Sequence, residues 1–169
     1  MRKILIIILL VGLALPSTLL GQNKKYSRQQ GPEQQLEEAR RMSAKQPEKA
    51  ILLVEEVVRE SKERRDQRLE AQAFLLLGEI YENIDQDRLA LQRFYQSANL
   101  AQSLKDQALL AQANYKMGRV RTKLGEFAEA QTNFNLCIKF SPNSDLITKC
   151  QEGLADLAFA KKDYQQSEQ

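Results

Sequence analysis

The sequence has no histidine and no tryptophan, and only two cysteines, four prolines and seven glycines in 169 residues. Each scarcity excludes something. Without histidine, the commonest general base and metal ligand is missing. Two cysteines with no Cys-x-x-Cys spacing argue against a thiolate metal site or a dithiol redox centre. Few prolines and glycines argue against long disordered stretches. There is no glycine-rich phosphate loop, no Gly-x-Ser-x-Gly elbow and no His-Glu-x-x-His pair. Asp85 and Asp87 form an acidic pair, but they sit where an inter-helix turn is expected, and Asp is common there for capping reasons. No catalytic residue, cofactor or metal is expected, and the chain does not read as an enzyme. The net charge is +3, and it drops to +1 when Arg2 and Lys3 are set aside. That balance is no nucleic-acid signature.

Arg2 and Lys3 open a leader-like segment, MRKILIIILLVGLALPSTLLG, at residues 1–21. An apolar run spans residues 4–15, Pro16 breaks it, and Gly21 supplies a small residue at a cleavage point. This is the layout of a secretory signal peptide. It implies a periplasmic or secreted protein. The alternative is an uncleaved anchor at residues 4–21, which would be the chain's one route to a membrane. No cysteine lies near the cleavage point, so a lipid anchor is not supported. Residues 22–32, QNKKYSRQQGP, are polar and aperiodic, and read as a flexible lead-in.

The chain is organised around residues 71–142, which divide into two copies of one pattern. Gly78 and Gly118 are forty residues apart, as are Ala90 and Ala130, and Phe94 and Phe134. The register extends back to Ala50 and Val54. Each copy carries apolar residues at helical spacing: Leu75, Leu76 and Ile80 in one, and Phe127, Ala130, Phe134 and Ile138 in the other. Glycine and alanine stand where the two helices of a pair cross. Such a pair cannot bury its apolar face alone, so neighbouring pairs must stack.

The two copies resemble the tetratricopeptide repeat (TPR) family in a forty-residue form. Residues 71–110 carry Phe74, Leu77-Gly78, Tyr81, Ala90, Phe94 and Ala98 at the family's positions. Residues 111–144 carry Met117-Gly118, Gly125, Phe127, Ala130, Phe134 and Pro142. They depart from the pattern at Asn114, where a large residue is usual, and at Arg121, where Tyr is usual. The resemblance implies an all-α fold, a right-handed α-solenoid of antiparallel helix pairs with about seven helices. Residues 33–70 read as a degenerate first repeat, with Pro47 opening its second helix. Its charged stretch, Arg59 to Arg68, mixes both signs and reads as a solvated helix end.

After Ser141-Pro142-Asn143, with Ser144 or Asp145 as cap, residues 145–169 read as a partial repeat or cap. A turn is expected at Lys161-Lys162-Asp163, with Tyr164 beyond it. Cys137 and Cys150 fall on helices that should pack together. Two readings stand: a disulfide, favoured by export, or two buried free thiols.

In the TPR family the first helices of the pairs line a concave groove that holds a peptide or a partner helix. The resemblance carries that role to Gln72, Leu75, Glu79 and Glu82, and to Gln112, Tyr115, Arg119 and Thr122, with Lys149, Glu152 and Asp156 beyond. Lys116, Arg119 and Lys123 only partly echo the basic clamp of the chaperone-binding members. The expected function is an exported protein-interaction scaffold with a protein or peptide partner and no nucleic acid. Self-association is a further option, because an incomplete last repeat leaves an apolar face. The abrupt stop at Gln169 motivates an alternative: the extracytoplasmic input region of a bacterial histidine kinase or transcriptional regulator.

Overall fold

The computed structural model describes residues 31–167, with side chains through 162. The leader and most of the lead-in lie outside the described residues. Among the described residues seven helices follow one another: α1 (Pro32–Met42), α2 (Pro47–Arg64), α3 (Gln67–Asn83), α4 (Asp87–Ser103), α5 (Gln107–Lys123), α6 (Phe127–Phe140) and α7 (Ser144–Ser167). There is no strand among the described residues. Each helix packs antiparallel on the next, and the whole is a helical solenoid.

The helices stop for a local reason that recurs every twenty residues. Arg65, Asp85, Lys105 and Gly125 all have positive φ, at 58°, 57°, 57° and 74°. At each, the following N–H reaches back five residues: Asp66 to Ser61, Gln86 to Tyr81, Asp106 to Ala101 and Glu126 to Arg121, at 2.8–2.9 Å. This is the Schellman ending, in which a left-handed residue turns the chain and satisfies the last carbonyls. The next helix starts at once. Asp66 and Asp106, forty residues apart, cap α3 and α5 by accepting from the N–H groups of Leu69 and Leu109.

Packing follows the register seen in the sequence. The Phe94 ring lies against Gly78, and the Phe134 ring is seated between Gly118 and Gly153. A Cβ at Gly118 would meet that ring at 2.8 Å, and one at Gly153 at 2.5 Å. Ala50, Ala90 and Ala130 are fully buried where second helices cross first helices. The first helices of successive pairs also touch one another: α1 meets α3, α3 meets α5, and α5 meets α7. The second helices α2, α4 and α6 do not pack on one another in this way. The stack therefore curves with α1, α3, α5 and α7 on its inner side.

The last loop differs from the others. Cys137 of α6 and Cys150 of α7 are joined by a disulfide, with Cα atoms 6.4 Å apart. Closing a loop of this length removes roughly 3 kcal/mol of unfolded-state entropy in the chain-entropy account. Two local expectations are corrected. The cap of α7 is Asn143, whose Oδ1 accepts from the N–H of Asp145 at 2.7 Å, rather than Ser144 or Asp145. No turn forms at Lys161-Lys162-Asp163, because α7 runs through them to Ser167. No Gly or Pro stands there, and lysine is a good helix former.

The repeated left-handed turns yield a paired prediction. Nothing lies within 4 Å of a Cβ added at Gly125, so Gly125→Ala isolates the backbone cost of positive φ. That cost is about 1 kcal/mol. Arg65→Gly at the same turn position should stabilise by about 0.5–1 kcal/mol. Urea unfolding of both variants checks the sign, and a loss for Arg65→Gly would contradict the shared-turn account.

Candidate functional site

On the inner side the helices are linked by charged side chains. Glu79 of α3 bridges two neighbours at once: Arg40 of α1 at 3.3 Å and Lys116 of α5 at 3.0 Å. One turn on, Arg119 of α5 lies 3.2 Å from Glu82, an ion pair whose angle is not that of a hydrogen bond. The Arg119 guanidinium also stands 5.9 Å over the Tyr115 ring, and Tyr115 tilts against Phe134 at 6.3 Å. At the end of the same helix, Lys123 donates to Asp87 at 2.9 Å and to Asp85 at 3.3 Å. The acidic pair is thus held by a lysine of the next repeat. The hydrogen bond to Asp87 raises the lysine's pKa above its ordinary value, against the lowering by desolvation. A raised lysine contributes its stability below its unfolded pKa and loses it as pH climbs through the folded one. On the lysine's side this clamp is therefore intact at neutral pH and is lost in strong alkali.

The structure sorts the expected groove residues. Gln72, Gln112 and Arg119 are exposed, and Glu79, Tyr115 and Thr122 are half-buried. Lys149, Glu152 and Asp156 are exposed on α7. The Thr122 hydroxyl donates to the Gly118 carbonyl of its own helix at 2.9 Å. Two residues are less available than expected. Leu75 is 7% exposed and belongs to the core formed with Ala71, Phe94 and Met117. Glu82 is 8% exposed beneath Arg119. The inner face therefore offers Gln112, Tyr115 and Arg119 of α5 with the exposed Lys149, Glu152 and Asp156 of α7, while the α3 carboxylates Glu79 and Glu82 already have partners.

Residues 111–144 match the tetratricopeptide repeat family. Comparisons with curated proteins and with solved structures gave no match. The matched stretch covers α5 from residue 111 onward, the turn at Gly125 and α6. It contains both departures from the TPR pattern, Asn114 and Arg121, and they are neighbours in space. Arg121 Nη1 donates to Asn133 Oδ1 at 2.8 Å, Asn133 Nδ2 donates to Asn114 Oδ1 at 2.9 Å, and Asn114 Nδ2 donates to the Leu110 carbonyl at 2.8 Å. Asn114 is 3% exposed and Asn133 5%.

This chain of amides lies under a cleft of about 580 Å³ between α4 and α6. Leu110, Met117 and Arg121 of α5, Tyr95 and Ala98 of α4, and Leu136 and Phe140 of α6 also line it. At 100° per residue, its α5 residues lie on the side of the helix opposite Gln112, Tyr115 and Arg119. The cleft is thus separate from the TPR groove, and the sequence reading did not identify it. Its signal was present in the two departures, but Asn133 was needed to complete it.

The bridge at Glu79 is testable as a coupling. A double-mutant cycle of Glu79→Gln with Lys116→Met should give about 0.5–1 kcal/mol of interaction at low salt. In ~1 M salt it should shrink toward zero. A coupling of zero at low salt would mean that the inner ion pairs add nothing to the stacking of α3 on α5.

Proposed function

We propose that this chain is an exported scaffold that binds an extended peptide or a partner helix along its inner face. One observation carries the reading: α1, α3, α5 and α7 converge on one side and present Tyr115 with Arg119 at its centre. Tyrosine and arginine dominate interface energies because each joins a large apolar body to a directional polar end. Arg119 is pre-positioned over Tyr115, so little rotamer freedom is lost on binding. TPR repeats in general mediate protein–protein contact, and the match at residues 111–144 supports that class for this chain.

The inner ion pairs set a condition on the partner. Glu79 and Glu82 already hold Arg40, Lys116 and Arg119. At these cations a bound acidic group would compete with Glu79 or Glu82, whereas an apolar or aromatic side chain can pack beside Tyr115 and leave the pairs intact. The face therefore favours a partner with an aromatic or aliphatic anchor flanked by a small number of charges. Export is supported by the leader-like residues 1–21 and by the Cys137–Cys150 disulfide, which persists in oxidising compartments.

Selection of peptides on the purified chain from a random display library tests the groove. Arg119→Ala, alone or with Tyr115→Ala, should weaken the selected peptides by about tenfold or more. Substitution of Tyr95 on the opposite side should leave them unchanged. Peptides lost with Tyr95 and retained with Arg119→Ala would reject the inner face. Export has its own readout: in cells quenched with acid and then denatured, so that buried thiols are reachable, Cys137 and Cys150 should resist alkylation until a reductant is added. Full alkylation without reductant would place the chain in a reducing compartment.

A further inference from the structure

The cleft on the outer side is best understood against the same place one repeat earlier. There, Phe74 occupies the position of Asn114 and Tyr81 that of Arg121, forty residues back in each case. Phe74 is 5% exposed, packs in the core beside Leu77 and Tyr81, and is covered by Lys62, whose Nζ stands 5.6 Å over its ring. That junction is filled. In the next one, two aromatic side chains are replaced by Asn114 and Arg121, and a cleft of about 580 Å³ takes their place. This volume lies within the usual range for small-molecule sites.

The cleft is a built site rather than a packing defect. A void left by chance in an apolar core is lined by apolar groups. This one is floored by two buried amides and a guanidinium in a single hydrogen-bonded chain. Such a chain fixes the orientation of each donor, because every amide has one committed partner. The walls, from Leu110, Met117, Leu136 and Phe140, are apolar.

Charge selects the ligand further. Lys105 and Arg121 line the cleft, and no carboxylate does. The nearest acid, Glu126, lies 3.6 Å from Arg121 Nε and is shared with Arg88 at 2.8 Å. Arg121 Nε is buried without a hydrogen bond. The guanidinium is therefore only partly compensated, and it faces a partly apolar space where an anion would be strongly held.

We propose that the cleft between α4 and α6 binds a small amphipathic anion, an apolar chain or ring bearing one carboxylate. The carboxylate pairs with Arg121, helped by Lys105 at the rim. The apolar body lies along Met117, Leu136 and Phe140. The site is independent of the inner face, so failure of either reading leaves the other standing.

Calorimetric titration of the full chain tests the proposal. The probes are decanoate and 4-phenylbutyrate below any micelle concentration, with decanol and decyltrimethylammonium as neutral and cationic controls. At least one carboxylate should bind at one per chain, about tenfold or more tighter than the neutral and cationic chains. Asn114→Phe restores the filler found in the preceding repeat. It should weaken the carboxylate about tenfold or more while helicity is kept. Arg121→Gln should bring carboxylate and alcohol to within about twofold of each other. Leu52→Ser, at an exposed position of α2 outside both sites, should leave carboxylate binding unchanged. Should Asn114→Phe not fold, the side-chain amide resonances of Asn114 and Asn133 in the unaltered chain decide, and they should shift on adding the carboxylate. The proposal is overturned if neither carboxylate binds, if the cationic chain binds as well, if Asn114→Phe folds and binds unchanged, or if those resonances stay still.

Discussion

A phenylalanine ring lying on bare helix backbone is the contact from which the rest of the structure follows. Phe94 sits on Gly78, and Phe134 sits between Gly118 and Gly153. Both rings are essentially without solvent exposure. The ring occupies the space of an absent Cβ, so the two helices of a pair approach closely along one side. Fully buried alanines at 90 and 130 allow the same close approach one turn away. Close packing at these points fixes how each pair crosses, and Phe134 extends the rule to the next helix by reaching Gly153. Interiors this dense respond to a single methyl group, so the identity of these residues is dictated by volume alone.

Once each pair is fixed, curvature follows, and curvature divides the surface in two. Inner helices that touch can exchange long charged side chains, and Glu79 does so on both sides. Outer helices splay, with Arg88 of α4 reaching Glu126 only at the start of α6, and the space between them must be filled by large side chains rising from the inner helix beneath. Between α2 and α4, Phe74 and Tyr81 meet that demand. Between α4 and α6, Asn114 and Arg121 leave it unmet, and the cleft is the result.

Much of this was legible in the sequence. The forty-residue spacing of Gly78/Gly118, Ala90/Ala130 and Phe94/Phe134 is a volume constraint, and volume constraints leave a mark in residue identity. Gly125 was legible as a left-handed turn for the same reason. Arg65, Asp85 and Lys105 adopt the same backbone without any such mark, because the neighbouring Schellman bonds hold them there at a modest strain. Glu82 read as an exposed groove residue because its cover, Arg119, comes from the next repeat. Leu75 read the same way, although in its repeat the position is part of the core. The run Lys161-Lys162-Asp163 suits a turn or a helix equally well by composition, and α7 continued. Asn114 and Arg121 were visible as departures, but their meaning depended on Asn133, twelve residues from Arg121 and on another helix.

The cost of those departures makes them informative. A buried amide contributes less to folding than a packed phenylalanine, even when its hydrogen bonds are made. The preceding repeat shows that the fold accepts the aromatic solution. A chain that retains Asn114, Asn133 and Arg121 at one junction therefore gives up apolar burial there. It also keeps a cation only partly compensated in a low-dielectric setting. Sequences that specify one fold tend to break local rules of this kind where a site is being held open. The outer cleft meets that description on three counts: the filler is missing, the polar replacements are bonded to one another, and the leftover charge is of one sign. The inner face shows the opposite economy at its centre, since Glu79 and Glu82 are paired and Arg119 is braced by Tyr115. Binding there adds a partner to a finished surface, whereas binding in the cleft would complete an unfinished one.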